Sequence, residues 1–456
     1  MKIEKPLTTQ CILSALDYRD FKFLRACFKD NELADIAEIF SELEISACIS
    51  LFRLVPRSRR PDLFSYLEFE RQEELLEEFP DVLIASLLNE MEPDNRTKLL
   101  EELSVEIRNK ILLQLDPEER QVAWKLLSYP EDSVGRLMTP DFLALKHDMT
   151  VSQALDKIHW NTALPVDYLN YLFVTDHEGV LIGEVSLASL VVCDPRSMQI
   201  NEIMKKNYVA LDPLQEAEEA VEFFRKYDTN FIPVVDEKKK LLGIVTSDDV
   251  FDVAEEEATE DIQQFGGHSA LEDSYFQTPF FTMVKKRAGW LAFLFVGGFI
   301  SGEALRGYED MIAKWSFLVL FLTTINSTGG NSGTQTASLI IRGLAINEIS
   351  LKDAPRVFRR ESLIGITLGF ILAFIGGLRA LSWNLGLAEA AVIATVVVLV
   401  VLIGVVAGSM LPFLFRAVKL DPAVVSSPFI STIMDLTSVI LLFNIAKLIM
   451  GYFSFQ

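Results

Sequence analysis

TTINSTGGNSGTQTAS, residues 323–338, sets hydroxyl, amide and glycine groups in the middle of a stretch, Trp315 to Ile341, that is otherwise apolar. A helix needs roughly 20 residues at about 1.5 Å each to cross the hydrocarbon of a bilayer, and this stretch has 27. Unpaired polar groups are costly at that depth. The glycine-rich run therefore predicts an interrupted, locally irregular backbone that is buried in protein or lines water. Two readings are open: hydrogen-bonding glue between helices, or the wall of a passage.

Four further apolar segments surround this one: Trp290–Gly307, Ser362–Trp383, Ala390–Phe415 and Pro422–Ile445. Residues 281–456 are thus expected to form an α-helical domain of five spans. Basic residues cluster at Lys285, Lys286 and Arg287, at Lys352, Arg356, Arg359 and Arg360, and at Arg416 and Lys419. All three clusters belong on the cytosolic side of a cell membrane, which puts the C-terminus outside. Gly298 with Gly302, Gly365 with Gly369, and Gly404 with Gly408 predict close helix contacts.

The last segment carries Asp435 in SSPFISTIMDLTSVILLF. A mid-helix aspartate costs about 2.5–3.5 kcal/mol on insertion scales, so it should face a cavity or a cation. A protonated or structurally paired aspartate is the other reading, although no Lys or Arg lies centrally in the spans to pair with it. Ser431 and Ser427 fall one and two turns earlier on the same face, and Pro428 is expected to free a backbone carbonyl. A symmetric dimer with its axis along this helix would face two such carboxylates across a pore. One carboxylate with hydroxyls and carbonyls suits a hydrated magnesium ion, which gives up water reluctantly. It is a poor match for a calcium cage of about six to eight direct oxygens.

Outside these spans the balance of charge reverses. Residues 281–456 hold 9 Asp/Glu and 14 Lys/Arg, which leaves 55 acids and 28 bases to residues 1–280. A face so acidic repels polyanions, excludes nucleic acid as a partner and favours cations. Cys11, Cys27, Cys48 and Cys193 have no metal-ligand spacing and read as free thiols in a reducing compartment, so the N-terminal half is expected in the cytosol. The opening MKIEKPLTTQ is not a secretory signal.

From Asp17 to Tyr129 the apolar spacing is helical throughout, and LLNEMEPDNRTKLL (87–100) repeats as ILLQLDPEERQVAW (111–124) at a period of 24. Pro93 and Pro117 suit the first turns of helices. A stronger repeat pairs FVTDHEGVLIGEVSLASL (173–190) with PVVDEKKKLLGIVTSDDV (233–250) at a period of 60. Each copy reads as strand, tight turn, strand and helix start, preceded by an opening segment with Met138 or Met204. This double signature, over about 133–256, resembles a tandem pair of CBS domains, sensors often of adenine nucleotides or ions. After it, Asp248, Asp249, Asp252, Glu256 and Glu260 recur at helical spacing and repel one another unless a hard cation sits among them.

With TGGNSGTQTASLIIRGLA (328–345) and DPAVVSSPFISTIMD (421–435), this order of parts resembles the MgtE family of magnesium channels. The resemblance implies an all-α superhelical N-domain over 1–130, α/β tandem CBS domains over 131–256, an acidic connecting or plug helix over 257–280 and the membrane domain over 281–456. It implies a homodimer in the lipid bilayer, with a pore built from the second and fifth spans and lined by Asn326, Gly329, Gly330 and Asn331, where Asp435, Ser431 and Ser427 hold hydrated Mg2+. It also implies a cytosolic Mg2+ sensor that closes the pore, at Glu218, Asp228, Asp249, Asp252, Glu257, Glu260 and Asp261, with Glu90 and Asp94 as candidates in the N-domain. Ser427 stands where the family pattern often has asparagine, and Glu303 in the first span is unusual. Whether ATP binds the CBS pair is left open.

Competing functions are weaker. Asp435 opposes an anion channel. An enzyme lacks a catalytic set: His147, His159, His177 and His268 all precede the spans, and neither HExxH nor GxSxG occurs. No GxxxxGK[ST] loop supplies energy for pumping, so passive flux is expected. The residues do not exclude cobalt, manganese or calcium as the ion carried.

Overall fold

The computed structural model describes residues 8–161, 164–194, 198–271, 275 and 278–453, in two compact units, Met1–Ala254 and Glu255–Gln456. The first unit opens with a stack of short helices. Several pack chiefly on the helix two places further along: Ile45–Phe52 on Phe69–Glu78, Asp81–Asn89 on Val105–Gln114, Pro93–Glu102 on Pro117–Leu127. Phe28, Phe40, Phe52 and Phe64 recur at 12-residue steps and form an edge-to-face ladder with ring centroids 5.9, 6.4 and 6.3 Å apart. That ladder is half the period of the 24-residue repeat. Aromatic pairs in this geometry add about 0.5–1.5 kcal/mol each to the burial term. Pro93 and Pro117 both sit in the first turn of their helices, where a missing N–H costs nothing. The four cysteines are free, and burial pushes the Cys27 thiol up to about 11, where it is unreactive.

The 60-residue repeat folds as expected into two hairpins. β1 (Ala144–Lys146) runs parallel to β2 (Tyr171–Thr175), which pairs antiparallel with β3 (Leu181–Ser186); β4 (Phe231–Val235) pairs antiparallel with β5 (Leu241–Thr246). The equivalent aspartates make equivalent turns: Asp176 Oδ1 accepts the Glu178 and Val180 N–H groups at 2.9 and 2.8 Å, and Asp236 Oδ1 those of Lys238 and Lys240 at the same distances. The two openings are exchanged. Thr139 bridges to Ile244 and Lys205 to Glu184, so Met138 lies on Gly243 and Met204 on Gly183. A Cβ at Gly243 would stand 2.6 Å from Thr139 O, and one at Gly183 2.7 Å from Lys205 O, which is why both positions are glycine. The helix that follows, Ser247–Phe265, runs unbroken through the division expected at 256/257.

Five long helices build the second unit: Phe280–Arg306, Phe317–Ala345, Ala354–Ser382, Leu387–Ala417 and Ser427–Phe453. Four of them, all but Phe317–Ala345, are apolar and long enough to cross a membrane. Phe317–Ala345 is about 43 Å long at 1.5 Å per residue, and the 323–338 run keeps it below that apolar standard.

That run is continuous α-helix, contrary to the irregular backbone expected. Several of its hydroxyls bond back to their own helix: Thr328 Oγ1 donates to Thr324 O at 2.7 Å, and Ser332 Oγ to Gly329 O at 3.0 Å. Its glycines serve packing. A Cβ at Gly408 would lie 2.1 Å from Gly333 O and one at Gly404 2.6 Å from Gly329 O, so the two backbones touch. Gly365 and Gly369 likewise lie against Leu402 and Val398, whereas Gly298 and Gly302 have nothing within 4 Å among the described residues. Arg416 donates to Leu344 O at 2.6 Å and Asn347 Oδ1 at 3.1 Å, covering carbonyls at the end of Phe317–Ala345.

Candidate cation sites

In the first unit the acid-Pro-acid turn of the 24-residue repeat presents Glu92 and Asp94 on either side of Pro93, at the start of helix Pro93–Glu102. The turn after β5 presents Asp248 and Asp249 at the start of helix Ser247–Phe265. These helix starts share one electrostatic environment. Burial, then the Asp249 and Glu92 charges, raise the Asp94 carboxyl well above the usual carboxylate range. Burial and the charges of Asp62, Asp248 and Asp141 push Glu92 up to about 7. Asp249 also rises to about 7, through burial and the charges of Asp248, Asp252 and Glu92, against a 2.6 Å hydrogen bond from Thr246 Oγ1 that favours its ionised form. Tyr168 donates its O–H to Glu92 at 3.5 Å, and its own proton is held more tightly by burial and the surrounding carboxylates.

Lys98 Nζ reaches this rim, 3.3 Å from Asp252, in an ion pair exposed on both sides. Behind the turn, the fully buried Arg96 spends its guanidinium on Leu88 O at 3.0 Å and Glu119 at 2.5 Å. Carboxylates that must keep protons near neutrality are placed to exchange them for a cation with oxygen preference.

Of the expected sensor residues, Asp94 and Asp249 are brought together and Asp252 stands beside them. Glu90 is turned to Arg57, which it meets at 2.6 Å. Glu218 lies exposed in the first turn of helix Ala217–Tyr227, and Asp228 ends that helix in the left-handed region, φ 49°. Glu257, Glu260 and Asp261 follow on helix Ser247–Phe265, where Glu260 accepts from Gln264 at 2.7 Å. Glu92, Asp62 and Asp141 were not expected, and Asp248 was expected only as part of the acidic stripe of its own helix. Glu92 was signalled by its place across Pro93 from Asp94; Asp62 and Asp141 come from distant segments and carry no local signal.

In the second unit, helices Phe317–Ala345 and Ser427–Phe453 run antiparallel in a constant register. Thr334 Oγ1 meets Ser427 Oγ at 3.3 Å, and a Cβ at Gly330 would meet Ser431 Oγ at 3.1 Å. One more turn on each helix sets Asn326 level with Asp435. Asp435 is half-buried and has no hydrogen bond or ion pair among the described residues. Ser431 Oγ donates to Ser427 O at 3.0 Å and Thr432 Oγ1 to Pro428 O at 3.0 Å. Pro428 lies in the first helical turn, and the carbonyl it leaves free, Val424 O, accepts Ser426 N at 2.7 Å instead.

The expected pore residues divide by environment. The Asn326 Oδ1 is buried without a partner, while Asn331 is exposed and donates to Ser327 Oγ at 3.3 Å. Gly329 packs beneath Met434 and Val400, and Gly330 beneath Ser431. Glu303 is exposed and lies 3.7 Å from Arg306 on its own helix.

Comparison with known proteins accords with this arrangement. Residues 322–445 match the divalent cation transporter family MgtE, residues 31–132 the MgtE intracellular N domain, and residues 134–193 and 200–256 CBS domains. The chain is 32% identical over 439 residues to a magnesium transporter MgtE of Thermus thermophilus, covering 96% of this chain and 97% of that protein. It is 30% identical over 430 residues to a magnesium transporter MgtE of Bacillus subtilis, covering 92% and 94%. Among solved structures, the soluble part of a magnesium transporter aligns with a TM-score of 0.51 at 28% identity, over 55% of this chain and 98% of its own. The cytosolic domain of the Mg2+ channel MgtE in complex with ATP aligns at 0.50 and 31% identity, over 54% and 99%.

A helical N-terminal domain, a tandem CBS pair and a helical region with apolar helices long enough to span a bilayer, matched by these relatives, define a membrane cation transporter. The chain belongs to the MgtE family.

Proposed function

We propose that this chain is a channel that passes Mg2+ down its electrochemical gradient into the cytosol and closes when cytosolic Mg2+ fills the carboxylate cluster. The observation that carries the reading is Asp435, an unpaired carboxylate in an apolar helix, on a stripe with Ser427 and Ser431 that faces the polar helix Phe317–Ala345. Hydroxyls and one carboxylate hold an ion through its water shell, which suits Mg2+. Helix Phe317–Ala345 is then the second of five spans, its polar face turned to the passage. The basic clusters support an orientation with the first unit in the cytosol and the C-terminus outside.

Two copies are needed, because one stripe brings a single charge and a two-fold axis beside it brings two. Gly298 and Gly302, open within one chain, are available to a second. The helical N-domain winds as a superhelix over residues 1–130, the CBS pair occupies 131–256, and the acidic stretch 257–280 connects it to the spans. Closure follows from the carboxyls: with protons lost and no cation they repel, and Mg2+ binds best to the state that brings them together. Glu92, Asp94 and Asp249 form the centre of that sensor, with Glu218, Asp228, Asp252, Glu257, Glu260 and Asp261 as outlying ligands. A structural neighbour holds ATP in its cytosolic domain, and the CBS pair here is the place for it.

The test is Mg2+ influx into proteoliposomes, read by an enclosed dye, for wild type and Asp435→Ala at low and high Mg2+ on the cytosolic face. Flux that falls as cytosolic Mg2+ rises, and is lost with Asp435→Ala, supports pore and sensor together. Wild-type flux in that variant would remove Asp435 from the pore.

A further inference from the structure

We propose that the first CBS repeat carries a second metal site, of different chemistry, in which His147, Asp148 and His177 bind a divalent transition-metal ion such as Zn2+ or Co2+. Among the described residues this is the trio of His, Cys, Asp or Glu side chains whose ligand atoms all lie within 4.8 Å of one another. The imidazole rings stand edge to face with centroids 5.4 Å apart, and His177 Nε2 is 3.7 Å from Asp148 Oδ2. Bonds of about 2.0–2.2 Å in a tetrahedral shell set ligand atoms roughly 3.3–3.5 Å apart, so a small turn of exposed side chains closes the site.

Three further observations separate this trio from a chance surface cluster. His147 Nδ1 is buried with no hydrogen-bond partner among the described residues, a deficit that coordination through this nitrogen would remove. The backbone beneath is fixed: His147 N donates to Thr175 O at 3.3 Å, His147 O accepts Asn201 N at 3.1 Å, and Asp176 holds the turn that bears His177. The second repeat supplies an internal control. It builds the same turn on Asp236 with Glu237 in place of His177, and Leu211, which pairs with Val234 as Leu145 pairs with Val174, is followed by Asp212 and Pro213 in place of Lys146 and His147. The fold therefore needs no imidazole at either position.

The donor set decides the ion. Two imidazoles and a carboxylate suit Zn2+, Co2+, Ni2+ or Fe2+, whereas Mg2+ takes oxygen. Lys146, whose ammonium is engaged by Thr175 Oγ1 at 3.2 Å and Asp176 O at 2.5 Å, borders the same open groove with Met149 and Gln153, and water entering there completes the shell. A bound ion would fasten the segment after β1 to the β2–β3 turn. The cytosolic part would then read two classes of divalent ion at two places.

The experiment is Co2+ titration of the tag-free full-length chain in detergent, followed by visible absorption, with Zn2+ competition and a large excess of Mg2+ present throughout. Wild type is expected to bind one Co2+ per chain that Zn2+ displaces and Mg2+ does not. His147→Ala/His177→Ala is expected to bind at least about tenfold more weakly. The single variant His177→Ala guards against misfolding, because that side chain is 71% exposed; it is expected to weaken Co2+ and leave the Mg2+-induced rise in melting temperature unchanged. Equal Co2+ uptake by wild type and the double variant, or displacement by Mg2+, would overturn the site without touching the carboxylate sensor.

Discussion

Glu92, Asp94 and Asp249 in the first unit and Asp435 in the second are all carboxylates drawn away from water, and they are treated oppositely. The first three crowd together, so each makes the next harder to ionise, and two of them keep protons up to about 7. Asp435 has no acidic neighbour on its helix and no basic partner among the described residues. Crowded carboxylates trade protons for a cation and hold it, which makes occupancy a measure of concentration. A solitary carboxylate among hydroxyls grips a hydrated ion weakly enough to release it. In the proposed function, the difference between sensing and conducting lies in the number of charges offered to one ion.

The comparison breaks most severely at Asp435. Asp435→Ala is expected to lower Mg2+ flux in liposomes by at least about tenfold, equivalent to 1.4 kcal/mol, with the melting response to Mg2+ preserved. A flux loss accompanied by loss of that response would mean the two acidic environments are not separable. Next, Glu92→Gln/Asp94→Asn/Asp249→Asn is expected to abolish the thermal stabilisation by Mg2+, which for wild type should be about 2.7 kcal/mol when Mg2+ stands at one hundred times its Kd. The variant should also melt higher than wild type in EDTA, because the repulsion is gone; a lower melting point there would show that these carboxyls are structural.

Acidity sharpens the same contrast. Carboxyls raised to about 7 in the folded chain bind more protons there than in the unfolded one, so metal-free stability is full below about pH 4 and falls as the pH climbs to 7. Mg2+ binding should therefore release protons, and lowering the pH from 7 to 6 should weaken it by up to about tenfold for each such group. Calorimetry in two buffers of different ionisation enthalpy measures the release; none would argue against the cluster as the site. The smallest effect is expected at Arg57→Ala. It frees Glu90 from an exposed pair worth about 0–1 kcal/mol and should leave the Mg2+ response within error.

Much of this was legible in the sequence because it is local. Helix starts at Pro93 and Pro117 and the paired aspartate turns at Asp176 and Asp236 need only a few neighbouring residues, and their periods announced them. The polar run at 323–338 was legible as unusual and misread as irregular, since spacing does not reveal that hydroxyls will bond back to their own helix. The cluster was half legible. Asp249 stood out in an acidic helix, but Asp62 and Asp141 reach it from segments that nothing in the one-dimensional pattern joins to it. The phenylalanine ladder at 12-residue steps was not read at all; the 24-residue repeat that was read lies further along the chain, at 87–124.

The contact of Gly333 with Gly408, and of Gly329 with Gly404, has a mechanical consequence. At those two points backbone lies on backbone with no side chain between, so there is little there to repack and the contact is stiff. On the opposite flank the same polar helix meets its neighbour through Ile430, Ser431 and Met434, side chains with rotamers to change. Compliance is therefore built on one side only. Any widening beside Gly330 falls to the helix that bears Asp435, so the carboxylate proposed to hold the ion is mounted on the more compliant side.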